Sequence, residues 1–150
     1  MNWDFVIKLF KSYLITEKGL SINSVEAYLH DVLLLKSQFP DSLPVNIKTD
    51  DIENFLAVLY DLGMSSSSQA RILSGLKSFY NYLILEKIIT ESPLDLIESP
   101  KLQRKLPDVL SYEEIETLLN NLDLSKADQV RNKAMIETLY SCGLRVSELI

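Results

Sequence analysis

The stretch "SSSSQARILSGLKSFYNYLILEK", residues 65–87, decides how the chain folds. Its serines offer several N-cap acceptors, and then Ile72, Leu73, Leu76, Phe79, Tyr80 and Leu83 recur at three- and four-residue steps. That spacing places them on one side of a helix running over about 66–87 and predicts a buried apolar stripe. Strands would need a period of two, which is absent here. Gly75 interrupts the helix at a cost of about 1 kcal/mol relative to Ala. It is read either as tolerated ballast or as a place where a neighbouring helix or a ligand comes close.

The same period extends outward in both directions. Trp3, Val6, Leu9, Phe10, Tyr13 and Leu14 mark a first helix, ended by Gly19. "SINSVEAYLHDVLLLKSQF", residues 21–39, marks a second. Its cap is either Asn23, with Glu26 three residues on, or Ser21. Tyr28, Leu29, Val32, Leu33 and Leu35 continue its apolar side, and Pro40 and Pro44 close it. A third helix is expected to be capped by Thr49, with Asp50 and Asp51 on the first turn, where the helix dipole favours negative charge. Ile52, Phe55, Leu56 and Leu59 form its face, and Gly63 ends it. Beyond the quoted stretch, Pro93, Pro100 and Pro107 break any period, and residues 91–110 read as a linker. "SYEE" at 111–114 is a capping box that opens a helix with Ile115, Leu118 and Leu119. "SKAD" at 125–128 is expected to cap a further helix carrying Ala134, Met135, Leu139 and Tyr140, with Gly143 as its left-handed C-terminal cap. The expectation is therefore an all-α protein. A four-helix domain spans 1–90, a linker 91–110, and the opening helices of a second domain 111–150.

Bulk properties narrow the function. The chain has 150 residues, 47% hydrophobic, with a formal net charge of −6. Such a chain can bury a real core. It carries no run able to span a membrane, and its first residues, with interspersed charge and no small-residue cleavage site, are not expected to be a signal peptide. One cysteine, Cys142, excludes an intramolecular disulfide and makes a cytoplasmic location the default. With His30 the only histidine, a His/Cys zinc site is excluded. His30 itself is expected near solvent, Trp3 and Tyr13 as core or domain-surface anchors, Tyr140 in the core, and Cys142 packed beside the glycine turn. Acidity argues against indiscriminate nucleic-acid binding, but the charge is uneven. Residues 48–63 and 110–124 are acidic, whereas Arg71, Lys77, Lys87, Lys101, Arg104 and Lys105 cluster along 71–105.

Four segments, in order, resemble the tyrosine recombinase (phage integrase) family and, within it, the bacterial XerC/XerD type. They are "SINSVEAYLHDVLLL" at 21–35, "RILSGLKSFYNYLI" at 71–84, the proline-rich run and capping box at 91–119, and "RNKAMIETLYSCGLRVSELI" at 131–150. The resemblance implies a SAM-like core-binding domain followed by the start of a catalytic domain. The two would form a clamp around double-stranded DNA at a recombination half-site. It implies strand breakage through a 3′-phosphotyrosyl link, with no cofactor and no metal, inside a tetrameric synapse of recombinase subunits.

On that resemblance, Arg145 matches the family's first catalytic arginine, and Glu148 the acidic residue that supports it. A pentacoordinate phosphorus gathers negative charge on its nonbridging oxygens, and fixed cationic donors stabilise it. A guanidinium fork suits two oxygens and does not titrate, and a helix start adds N–H groups to the same anion site. An ordinary surface ion pair has the same spacing. The resemblance also implies that the second and fourth helices approach the major groove. Ser21, Asn23, Ser24 and Tyr28 are the candidate contacts on the second, and Arg71, Ser74 and Lys77 on the fourth. Lys101, Arg104 and Lys105 are the linker candidates for phosphate. Capping and simple solvation are the competing roles for the polar members of this set. The family's remaining catalytic residues, including its tyrosine nucleophile, follow the first arginine. These 150 residues alone are therefore expected not to cleave DNA. A non-catalytic DNA-binding module and a helical protein-interaction domain are the alternatives.

Overall fold

The computed structural model describes residues 2–101 and 106–150. All regular elements among them are helical. The chain divides into two compact units, Met1–Gln103 and Arg104–Ile150.

In the first unit, α1 (Trp3–Thr16), α2 (Ile22–Gln38), α3 (Thr49–Asp61) and α4 (Ser66–Leu85) surround one apolar core, with a 3-10 turn at Pro44–Asn46. Asn2 starts α1 by accepting the Phe5 N–H at 3.0 Å. The helix buries Trp3, Val6, Phe10 and Leu14, the stripe its spacing predicts, while Leu9 turns outward. The Trp3 indole donates to the Ser42 carbonyl at 2.7 Å, which satisfies its one polar atom. α2 is capped by Ser21, whose hydroxyl accepts the Ser24 N–H at 3.3 Å. Asn23 already lies inside the first turn, so of the two capping readings the Ser21 one holds. Leu33 does not join the apolar side and is 46% exposed.

Thr49 does not cap α3. It is the first helical residue, and Lys48 holds the cap position. The Asp51 carboxylate reaches back to the Lys48 N–H at 2.8 Å and replaces the missing hydroxyl. Ser65 caps α4, accepting from Ser68 N–H at 3.3 Å. That helix ends at Leu85 rather than 87, because Lys87 turns to a φ of 56°.

α4 is the centre of the unit, and the six apolar residues named for it are all buried. Phe79 meets Phe10 edge-on at 5.3 Å and Trp3 at 6.1 Å between ring centroids. Tyr80 is buried, donates to the Pro44 carbonyl at 3.1 Å, and has its phenol pushed well above the usual range by desolvation. The stretch read as linker from 91 onward is not free along its first part. Leu94 and Ile97 are buried in this same core. A short turn makes that possible: Ser92 N–H donates to the Asp95 carboxylate and Leu94 N–H to the Ser92 hydroxyl. Two apolar residues three apart suffice to dock a turn, without the sustained period that marks a helix.

The second unit contains α5 (Tyr112–Asn120), α6 (Ala127–Cys142) and the single turn α7 (Val146–Leu149). The capping box at α5 is formed as expected. Glu114 Oε2 accepts the Ser111 N–H at 2.7 Å, and the Ser111 hydroxyl accepts the Glu114 N–H at 3.2 Å. Ile115 is its buried residue, while Leu118 is exposed. "SKAD" does not cap α6 through a side chain. Lys126 holds the cap position, and the Ser125 hydroxyl instead donates to Asp123 at 2.6 Å. The two hydrogen bonds from Ser125 hold the Asp123 carboxyl below its ordinary range. Gly143 is the left-handed cap, at φ 62°. Tyr140 is not core: it is 49% exposed. Cys142 is also exposed rather than packed.

At Gly75, α4 packs tightly against Asp31 of α2, the helix with which it is most extensively packed. A Cβ at this position would overlap the Asp31 carboxylate, lying 2.9 Å from its Cγ and 3.0 Å from its Cβ. Gly75→Ala would stabilise an unobstructed helix by about 1 kcal/mol. Here it is expected to destabilise the first unit by roughly 1–3 kcal/mol through overpacking. In an Asp31→Ala background the penalty should shrink, because the clashing carboxylate is gone. Urea titration of the four proteins measures both terms, and a stabilising Gly75→Ala would refute the close contact.

Candidate nucleic-acid interface

A groove of about 200 Å³ runs between α2 and α4. Ser24, Ala27, Tyr28 and Asp31 line it from one helix, and Arg71, Ser74 and Gly75 from the other. Four of the seven candidates on these two helices therefore share one cleft. The reason is geometric. Residues 24, 28 and 31 stand one turn apart along α2, and 74 and 75 each stand one turn from 71 along α4. Ser21 and Asn23 are exposed at the start of α2 and outside the groove lining. The Ser21 hydroxyl is occupied in the cap and lies 3.0 Å from that of Ser24. Ser74 donates to the Ala70 carbonyl at 3.0 Å and keeps its acceptor lone pairs.

Two of the basic candidates are not free cations. Arg71 donates through Nη1 to Asp31 Oδ2 at 2.9 Å and through Nη2 to Asp31 Oδ1 at 2.5 Å. The arginine side chain is 51% exposed, the aspartate 1%. Burial pushes the Asp31 carboxyl above its ordinary value of 3.8, against the hydrogen bonds and charge of Arg71, which pull it down. Lys77 is half-buried, and its ammonium donates to the Ile97 carbonyl at 3.0 Å, tying the 91–97 turn to α4. Lys101 is exposed. Arg104 and Lys105 lie outside the described residues.

Asp31 and Gly75 are the members of this groove that the sequence reading missed as a pair. A signal was present. Asp31 falls on the stripe Tyr28–Asp31–Leu35, at i, i+3 and i+7, where a carboxylate needs both a partner and a space.

In the second unit, Arg145 caps α7 from an extended backbone, at φ −80° and ψ 154°. Its N–H donates to Glu148 Oε2 at 2.7 Å, and its Nη1 to Glu148 Oε1 at 3.2 Å. One carboxylate thus holds both the backbone and the guanidinium of the same residue. The arginine side chain remains 82% exposed, so most of its donors are unspent.

The phage integrase N-terminal SAM-like domain matches residues 7–87, and the chain belongs to that family. It is 38% identical over 148 residues to the tyrosine recombinase XerD of Staphylococcus epidermidis, covering 97% of this chain and 50% of that protein. It is 40% identical over 150 residues to the tyrosine recombinase XerD of Proteus mirabilis, covering 98% and 48%. The chain spans about half the length of these relatives. The integrase from mycobacterium phage Brujita shares the fold, with a TM-score of 0.61 at 21% identity, over 95% of this chain and 46% of that one. No helix among the described residues is long and apolar enough to cross a membrane.

The ion pair carries a stability prediction with a defined sign. Arg71→Ala leaves a carboxylate buried without its partner. Because Arg71 is half exposed and water can partly replace it, the expected loss is about 1–3 kcal/mol, below the range for fully buried pairs. A carboxyl whose folded pKa exceeds its unfolded one binds the proton more tightly when folded, so stability rises as pH falls through that window. Removing Arg71 removes the opposing pull and widens the window. The loss should therefore be larger at pH 7 than at pH 4, and Asp31→Asn in the same background should recover part of it. Denaturant melts at the two pH values decide this, and an equal loss at both would exclude an unpaired charge as the cause.

Proposed function

We propose that this chain is the DNA-gripping part of a site-specific tyrosine recombinase, together with the segment that carries its first catalytic arginine. The carrying observation is the α2–α4 groove, which collects Ser24, Tyr28, Arg71 and Ser74 in a chain whose relatives from Staphylococcus epidermidis and Proteus mirabilis are tyrosine recombinases. On this reading α2 and α4 enter the major groove of double-stranded DNA. Ser21 and Asn23 meet phosphate at its edge, and Lys101, Arg104 and Lys105 follow the backbone between a core-binding domain at about 1–90 and a catalytic domain opening near 111. The protein would work in the cytoplasm on a recombination half-site, as one subunit of a tetrameric synapse.

Arg145 would hold the nonbridging oxygens of the scissile phosphate, with Glu148 fixing its direction. The step has a simple balance. A tyrosine hydroxyl gives up its proton as its oxygen bonds to phosphorus, the bond from phosphorus to the 5′-oxygen breaks, and that oxygen takes up a proton and leaves as a hydroxyl. The phosphotyrosyl ester conserves the bond for the reverse attack. Within the proposal, residues outside these 150 supply that tyrosine. DNA gripping is the part assigned to the present chain.

Fluorescence anisotropy with a labelled 30-base-pair duplex tests the gripping. Affinity should fall linearly on a log–log plot as salt rises. Changing Lys101, Arg104 and Lys105 together to Glu should weaken binding on every sequence and flatten the slope by roughly 3. Binding that ignores salt would remove the phosphate contacts, and no binding at low salt would favour a protein-interaction domain. In the whole gene product, Arg145→Ala should lower strand cleavage at least ~100-fold while leaving DNA affinity unchanged. A parallel fall in affinity would make Arg145 a binding residue only.

A further inference from the structure

The Asp31–Arg71 pair has an unusual division of exposure. The carboxylate is buried, and the guanidinium it holds is half open to the groove. Both Nη atoms face the carboxylate, at 2.9 Å and 2.5 Å. Five N–H donors make up a guanidinium, so the Nε–H and the outward Nη hydrogens remain available. The carboxylate has room for this arrangement only because residue 75 has no Cβ. Charge is largely cancelled within the pair while direction is retained. A free arginine seeks any phosphate. One that is neutralised and locked loses that general attraction and keeps a planar edge of donors at a fixed angle. That edge suits two acceptors side by side, such as the N7 and O6 atoms of guanine in the major groove.

Resting on the reading that the α2–α4 face meets DNA, we propose that Asp31 is a positioning residue that aims Arg71 at a base edge, and that Arg71 discriminates sequence instead of neutralising phosphate. Ser24, Tyr28 and Ser74 border the same groove and limit the directions from which a base edge can approach. Gly75 belongs to the device because it seats the carboxylate.

The probe is a pool of 30-base-pair duplexes with a randomised centre, enriched on the unaltered 150-residue chain. Affinity is then measured for the enriched duplex and a scrambled one at several salt concentrations. Arg71→Gln should cut the preference for the enriched duplex about tenfold and leave the salt slope unchanged. Asp31→Asn releases a cation. It should tighten binding to the scrambled duplex severalfold and steepen the slope by about 1, while the preference again falls about tenfold. Arg71→Lys should not restore the preference, because an ammonium cannot reproduce the fork. A merely structural role for Asp31 would weaken both duplexes together and would not steepen the slope. If Asp31→Asn fails to fold by circular dichroism, the two Arg71 variants decide alone.

An Arg71→Gln chain that loses affinity equally on both duplexes, with a slope flattened by about 1, would make Arg71 a phosphate contact and overturn the proposal. So would an unaltered chain that binds DNA but enriches no sequence, or an Asp31→Asn chain with its preference intact. A chain that binds no duplex at low salt would instead sink the DNA reading of the whole face, and the role of Asp31 with it.

Discussion

A carboxylate buried between two helices is the constraint on which the first unit is arranged. Asp31 sits in a notch that exists because residue 75 has no side chain, and Arg71 closes the notch from the same helix, one turn away. Sliding or rotating α4 by one residue would replace Gly75 with Ser74 or Leu76 and drive a Cβ into the carboxylate. It would also swing the guanidinium away from a charge that is costly to leave unpaired. Apolar contacts between helices tolerate small shifts, since one methyl can take the place of another. A seated ion pair does not. The hydrophobic stripe of α4 supplies the bulk of the driving force, and the pair selects one register among those the stripe would accept.

The stripes themselves were readable because burial imposes a period on the sequence. All six apolar residues named for α4 are buried, and the capping box at Ser111 and Glu114 is formed. The departures at helix caps have one physical theme, that a hydrogen-bond need can be met in several ways. Thr49 looked like a cap, but Asp51 reaching back made the hydroxyl unnecessary. Asn23 looked like a cap, but Ser21 stands at the residue where the backbone is still extended. Leu94 and Ile97 dock in a short turn, and two residues carry too little pattern to be told from linker. Tyr140 continues the apolar spacing of α6 and Cys142 adjoins the glycine turn, yet both lie exposed.

The candidate groove was legible in its members and not in its charge. Ser24, Tyr28, Arg71 and Ser74 come from two segments more than thirty residues apart, and they line one cleft. Counting basic residues along 71–105 nevertheless overstates the free positive charge. Arg71 is spent on Asp31, and Lys77 on the Ile97 carbonyl. Partnering of this kind depends on which helix lies opposite, information that no single helix contains. It also fits the acidic net charge of −6: on the proposed reading, this face would contribute oriented donors more than a broad positive field.

Both arginines given roles here are braced by a carboxylate, and the two braces differ in the property that decides their strength. Glu148 holds Arg145 across one helical turn in the open, with the arginine side chain 82% exposed. Water competes for every donor there, and an exposed pair of this kind is worth well under 1 kcal/mol. Asp31 holds Arg71 from a buried position where water cannot reach the acceptor side. The same chemical unit is therefore rigid in one unit of the chain and loosely held in the other. A loosely held arginine can be recruited by a doubly charged phosphorane, whose field outweighs that of a single hydrated carboxylate. A rigid one is suited to a target whose geometry is constant, such as the edge of a base pair. The burial of the carboxylate, more than the identity of the arginine, separates the two proposed roles.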